Sequence, residues 1–261
     1  MTGAPSFALD ERVILVAGGG NGSGRECALA YAAAGASVVI GDINVTAAKA
    51  VGDEIASRGG NAAVFEYDGS DLDSVRALVR FTASEYGRID GLHNIAGNPT
   101  LHERDLDLLS SEVSTWEDAF RSHFSAYAVA AQEAIPVMIE TGGGSIINTS
   151  SGMAISGDAI KLGYQVGKRA AELLTMHIAH AYGRQGIRCN ALRYGVILTA
   201  NAKAHLDQAF LDDAQDRNWL GRLGEPRDPA GAAVFLMSDA AAFISGQIIE
   251  VAGGKMSGIQ G

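Results

Sequence analysis

Cysteine is scarce in this chain of 261 residues: there are two, Cys27 and Cys189, and neither stands in a C-x-x-C pair or a Cys/His cluster. That spacing gives no basis for a disulfide framework or a zinc site, so no metal is expected and a reducing cytoplasm is the expected location. Proline is also sparse, at five residues. Basic residues are too few to balance the acids, with 20 Lys and Arg against 30 Asp and Glu and a formal net charge of −10. A surface of that sign repels phosphate backbones, which argues against nucleic acid as a partner. Long apolar runs are missing as well. The most apolar stretch, 27–41, is short and interrupted by Gly35 and Ser37, so no membrane span is expected. Residues 1–10 hold no basic residue and no apolar segment of the signal-peptide kind. Glycine and apolar side chains are plentiful, at 33 residues and 47% of the chain, a composition that excludes disorder and fits one globular domain with a large core.

Short apolar runs alternate with segments of helical length along the whole chain. Residues 13–17, 37–40, 62–66, 89–94, 145–149, 187–191 and 247–251 read as buried strands. Segments 22–34, 45–58, 71–86, 114–140, 162–182 and 228–238 read as helices, the fourth opened by a capping box at Ser114-Thr115-Trp116-Glu117. This order predicts an α/β fold, a doubly wound parallel sheet with helices on both faces. Two longer stretches, 98–114 and 199–227, are expected as loops of functional length.

The first strand runs into Ala17-Gly18-Gly19-Gly20-Asn21-Gly22-Ser23-Gly24, and a helix follows at once. Glycines in that context allow a tight turn and a close approach of the backbone to a pyrophosphate, whose charge the helix N-terminus stabilises. A glycine-rich turn without a ligand is the plainer alternative. Asp42 ends the second strand, where a ribose-binding acid belongs in a dinucleotide fold, and no Lys or Arg lies at 18–24 or 41–44 to attract a 2′-phosphate. NAD is therefore expected over NADP, unless Asp42 only caps the next helix.

Tyr164 and Lys168 stand four residues apart on one face of a predicted helix. An ordinary tyrosine has a pKa near 10, and a fixed cation nearby lowers it, so such a pair can exchange a proton with an alcohol or carbonyl oxygen. Alone the spacing is common on solvated helix faces. Ser151, just past the predicted strand 145–149, places a hydroxyl at the carboxyl edge of the sheet where ligands bind.

With these residues in place the chain resembles the short-chain dehydrogenase/reductase family over nearly its whole length. The matching pieces are the turn at 17–24, Asp68, Asn94-Ile95-Ala96-Gly97, Ser151 thirteen residues before Tyr164, Lys168, Asn190-Ala191 leading to Gly195 and Thr199, and the ending from Leu223-Gly224-Glu225-Pro226 to Gly253-Gly254. The resemblance implies a Rossmann-type sheet of about seven strands in one domain, with a dinucleotide-binding half at about 10–150, a catalytic half at about 150–261 and a lid at about 199–224. It implies Tyr164 as general acid/base, Lys168 lowering its pKa and holding the nicotinamide ribose, and Ser151 bonding the substrate oxygen. Gly18, Asn21, Gly22, Ser23 and Gly24 would cradle the pyrophosphate, and Asp42 with Ile43 would take the adenosine ribose. Asp68 and Gly69 would bind adenine, Asn94, Ala96 and Gly97 would line the cofactor, and Ile197 and Thr199 would hold the carboxamide. A homotetramer is implied too, and the alanine-rich faces at 126–134 and 170–181 are compatible with close packing of helices between subunits.

Departures from the family pattern are Ala17 for threonine, Ser23 for an aliphatic residue, Tyr194 for the proline before Gly195, and His123 for an asparagine that helps water connect Lys168 to solvent. His123 either continues that relay or is a core histidine. His177 and His180 have no convergent carboxylate and are not read as ligands. The expected activity is hydride transfer between NAD and a secondary alcohol or ketone, hydrophobic or ring-bearing by the apolar residues Leu206, Phe210, Leu211 and Trp219 of the lid. Asp207, Asp212, Asp213 and Asp216 there disfavour a strongly anionic substrate. The alternatives are a 3-oxoacyl thioester reductase and a silent NAD-binding sensor or scaffold, against which the intact Ser151, Tyr164 and Lys168 weigh. A methyltransferase would share the glycine turn but have no use for those three residues.

Overall fold

The structure, a computed structural model, describes residues 6–254, apart from the side chains of Pro99, His102 and His205. The end of the expected catalytic half, 255–261, lies outside the described residues, and so do the His102 and His205 side chains. Seven parallel strands form one sheet in the order β3-β2-β1-β4-β5-β6-β7: β1 Val13–Ala17, β2 Ser37–Asp42, β3 Asn61–Glu66, β4 Gly91–Asn94, β5 Gly144–Ser151, β6 Ile187–Tyr194 and β7 Ile248–Val251. The order reverses between β1 and β4, which opens a crevice at the carboxyl ends of those two strands.

Each central strand buries both faces. In β1, Val13, Leu15 and Ala17 pack into one core layer, and Ile14 and Val16 pack into the other. This is why the strands read as unbroken apolar runs rather than as alternating patterns. The first layer lies under helices α3 (Leu72–Tyr86), α5 (Ala126–Glu140) and α7 (Leu162–Tyr182). The second lies under α1 (Gly22–Ala33), α2 (Val45–Ser57) and α10 (Asp228–Met237). No helix among the described residues is long and apolar enough to cross a membrane.

Three expectations need correction. The segment read as one helix at 114–140 is α4 (Val113–Phe120), a π-helical turn (Arg121–Ser125) and α5, and the extra residue in that turn leaves the apolar periodicity almost undisturbed. The expected capping box is absent: α4 begins one residue earlier, with Glu112 at its N-cap and no side-chain cap. The two long loops also carry structure of their own. A 3₁₀ turn occupies Pro99–Glu103, and α8 (Ala200–His205) and α9 (Gln208–Asp216) lie in the second stretch. A short helix, α6 (Met153–Ser156), follows β5.

Candidate active site

The glycine turn folds back against β2, with Gly18 and Gly19 amides donating to the Gly41 carbonyl at 2.7 and 3.1 Å. Gly18 has φ +100°, and a Cβ there would stand 2.6 Å from the backbone nitrogen of Ala96, so glycine is required by conformation and by space. At the head of α1, Asn21 makes no side-chain cap and the first turn carries no acid. The amides that open this helix are thus left to face the crevice, a cradle of the kind that a pyrophosphate fits. Asp42, at the end of β2, accepts from the Gly20 amide at 2.8 Å through Oδ2 and from the Asn44 amide at 2.9 Å through Oδ1. Its carboxylate is thereby fixed at the mouth of the turn, where it fits a ribose diol.

One cleft takes in nearly every residue expected in the site. Gly18, Asn21, Gly22, Ser23, Gly24, Asp42, Ile43, Asp68 and Gly69 line one end, and Ala96, Gly97, His123, Ser151, Tyr164, Lys168, Ile197 and Thr199 line the rest. Asn94 is the exception: it is buried, and its Nδ2 donates at 2.9 Å to Asn148 Oδ1, which ties β4 to β5. Its backbone strand leads into the cofactor turn, but its amide serves the sheet. Thr199 caps α8 through the Ala202 amide at 3.1 Å and approaches the glycine turn from the far side. Tyr194 closes β6 with its ring in the core layer, and its carbonyl accepts from the Gly152 amide at 2.8 Å, fixing the chain just after Ser151.

The helix that carries Tyr164 and Lys168 is held by a residue that sequence reasoning missed. Asp105, buried on the first long loop, accepts from the Gly163 amide at 3.1 Å and the Tyr164 amide at 2.7 Å, one with each oxygen. A carboxylate at the first turn of α7 satisfies two orphan donors and complements the helix dipole. Beneath Ser151, the Ser150 hydroxyl donates to Glu172 at 2.7 Å, and Arg193 grips the same carboxylate at 2.7 and 2.9 Å. Burial raises the Glu172 pKa, but the hydrogen bonds from Arg193 and Ser150 prevail and hold it below the ordinary value.

Lys168 is buried, and its ammonium donates to the Thr149 carbonyl at 2.8 Å and to Tyr127 Oη at 3.1 Å. Tyr127 Oη in turn donates a hydrogen bond to the Ala96 carbonyl at 3.1 Å. Burial draws the lysine pKa down to about 7. Lys168 Nζ lies 5.8 Å from the centre of the Tyr164 ring. Burial raises the Tyr164 pKa, and the Ser151 hydroxyl beside it pulls the other way. His123 rides on the π turn and meets the Tyr164 ring edge-on, with centroids 5.0 Å apart. It fits there because a Cβ on Gly97 would fall 2.5 Å from its Cε1.

The lid residues behave differently from expectation. None of Asp207, Asp212, Asp213 and Asp216 lines the cleft. Asp207 caps α9 at the Phe210 amide, Asp212 accepts from Gln208, and Asp213 pairs with Arg217. Leu206, Phe210, Leu211 and Trp219 also lie off the wall, whose apolar surface includes Ile43, Ile95, Leu101, Tyr194 and Ile197.

A glycine cradle at the crossover of a parallel sheet, with a phenol, an ammonium and a hydroxyl sharing its cleft, defines a dinucleotide-dependent oxidoreductase. Comparison with known proteins agrees. The family described as Enoyl-(Acyl carrier protein) reductase matches residues 18–255. A probable short-chain type dehydrogenase/reductase of Bradyrhizobium diazoefficiens is 36% identical over 94% of this chain and 88% of its own length. The 7alpha-hydroxysteroid dehydrogenase of Escherichia coli K12 is 34% identical over 97% and 98%. A solved 7 alpha-hydroxysteroid dehydrogenase, complexed with NADH and 7-oxo glycochenodeoxycholic acid, superposes with a TM-score of 0.91 at 33% identity and covers 100% of both chains. The chain belongs to the short-chain dehydrogenase/reductase family, oxidoreductases that act on CH–OH groups.

Proposed function

We propose that this protein is an NAD-dependent dehydrogenase of a secondary alcohol, hydrophobic or ring-bearing, and of the matching ketone. The observation that carries the reading is the single cleft joining the glycine cradle and Asp42 to Ser151, Tyr164 and Lys168. The half at about 10–150 holds the dinucleotide, and the half at about 150–261 supplies the acid/base group and the lid at about 199–224. Bound in the cradle, the nicotinamide accepts or returns the hydride. Ser151 orients the alcohol oxygen, and Tyr164 takes its proton as the carbonyl forms. Lys168 holds the nicotinamide ribose and steadies phenolate, and Asp68 and Gly69 border the adenine. Tyr127 anchors the Lys168 ammonium, while His123, placed where the relay asparagine is expected, braces the phenol.

Asp42 selects NAD, because among the described residues the cleft wall holds no cation except Lys161 and Lys168, neither of them on the Asp42 end. Calorimetric titration should give tighter binding of NAD than of NADP, and only NAD should be reduced efficiently by a panel of steroidal, cyclic and aryl secondary alcohols. Asp42→Ala should weaken NAD and narrow the gap. Tighter NADP binding by the unaltered protein would overturn the assignment.

The protein acts as a homotetramer in a reducing cytoplasm, which suits its two buried free thiols. Of the alanines expected at the contact, Ala126, Ala130, Ala131, Ala134 and Ala171 belong to the subunit core, whereas Ala128 and Ala170 are half-buried and Ala181 is exposed. Val166, Leu173 and Met176 on α7 remain exposed instead and supply an apolar face that a second subunit would cover. Light scattering should give about four times the 27.1 kDa chain mass, and a monomer at micromolar concentration would remove the proposal.

A further inference from the structure

Lys161 stands three residues before Tyr164 on the wall of the cleft, half-buried, at the N-cap of α7. Its backbone is left-handed, with φ +63° and ψ +42°, and Glu11 is the other non-glycine with positive φ among the described residues. A lysine in that conformation carries backbone strain that glycine or asparagine would relieve, and strain of this kind collects where a side chain is needed at a particular spot. The conformation is held by two hydrogen bonds from the Lys161 amide, to the Asp105 carbonyl at 3.1 Å and the Leu106 carbonyl at 2.9 Å.

The ammonium of Lys161 makes no hydrogen bond or ion pair among the described residues. The acids of the same cleft are already engaged. Asp105 spends both oxygens on the amides of Gly163 and Tyr164, Asp42 on those of Gly20 and Asn44, and Asp68 accepts from Ser70. The lid acids lie off the wall. Beside Lys161 the surface is apolar, with Ile160, Leu162 and Leu106 exposed around it. In a chain with ten more acids than bases, a cation left without a partner next to exposed apolar side chains and the reactive phenol is suited to one kind of ligand.

We infer that Lys161 recognises a carboxylate on the substrate, so that the preferred alcohol is an amphipathic hydroxy acid with an apolar body and an anionic end. This rests on the dehydrogenase reading for the reacting end and amends the expectation that acids in the lid turn anions away. A charge-assisted hydrogen bond in a partly desolvated cleft strengthens binding by about ten- to a hundredfold.

The test compares two pairs of probes that differ only in charge, cholate with its neutral primary amide and hydroxyethylbenzoate with hydroxyethylbenzamide. Calorimetry on the cofactor-loaded protein should show at least one carboxylate binding about tenfold or more tightly than its amide. Lys161→Gln should close that gap and Lys161→Arg should keep it. Equal affinity within both pairs, a gap that survives Lys161→Gln, or no binding of either carboxylate at millimolar concentration overturns the inference. Turnover is scored separately: failure of every alcohol to reduce NAD removes the dehydrogenase reading and leaves the binding result standing.

Discussion

Tyr164→Phe should leave NAD affinity within a few-fold of the unaltered protein while lowering turnover of the best alcohol by about a thousandfold or more. The substitution deletes one oxygen and keeps the ring, so the edge-on contact with His123 and the capping of α7 by Asp105 both survive. What is lost is the hydroxyl proposed to take the alcohol proton. Lys168→Ala should differ in kind, since it empties a buried position bonded to Thr149 and Tyr127 and should weaken cofactor binding together with turnover. Single-turnover rates with calorimetry on both variants check this. A Tyr164→Phe protein that still oxidised its alcohol near the unaltered rate would end the proposed chemistry.

Acid should destabilise the fold well before its carboxylates are protonated, and His93 is the reason. It is fully buried in β4, bonded to the Tyr31 hydroxyl at 2.8 Å and to Thr149 at 3.3 Å, and burial lowers its pKa from 6.5 to about 3. Below pH 6.5 the unfolded chain takes up a proton at this imidazole and the folded chain does not, until about pH 3. Stability is therefore complete above 6.5 and falls as pH drops through that window, by about 1.4 kcal/mol per unit, or roughly 2 kcal/mol by pH 5. In a chain of this size that amounts to about 4–8 °C in Tm. His93→Gln keeps a hydrogen-bonding side chain without the titration, and denaturant unfolding from pH 5 to 7.5 should show its slope flattened by about that amount. Parallel profiles for the two proteins would clear His93 of the effect.

The sheet was legible because its strands are buried on both faces and the glycine turn follows the first of them directly. The candidate site was legible only in combination: a phenol and a lysine one helical turn apart are common on solvated faces, and it was Ser151 at the carboxyl edge of the sheet that singled the pair out. Where reading by pattern ran out, the cause was nearly always a partner with no local signature. Asp105 bonds backbone amides 58 and 59 residues away, and amides leave no mark on a sequence. Tyr127 sits in an alanine-rich run and shows its purpose only when Lys168 is seen to reach it. The Asn94 motif was found where expected, yet its side chain turns to Asn148, since a motif fixes a strand end without fixing which way an amide faces. The π turn escaped notice because one added residue hardly alters an apolar stripe.

Asp105 also joins two things that are ordinarily independent. It belongs to the segment that borders the cleft mouth, and the donors it satisfies are those of the tyrosine itself and its neighbour. Any excursion that lifts this segment away from α7 strips two amides of their acceptor and frays the turn from which the phenol projects. Access to the cleft and order of the reactive group are thus one equilibrium, biased the same way by anything that bridges loop and helix. A ligand that draws the mouth closed orders the Tyr164 turn in the same motion, and an open mouth leaves that turn poorly set.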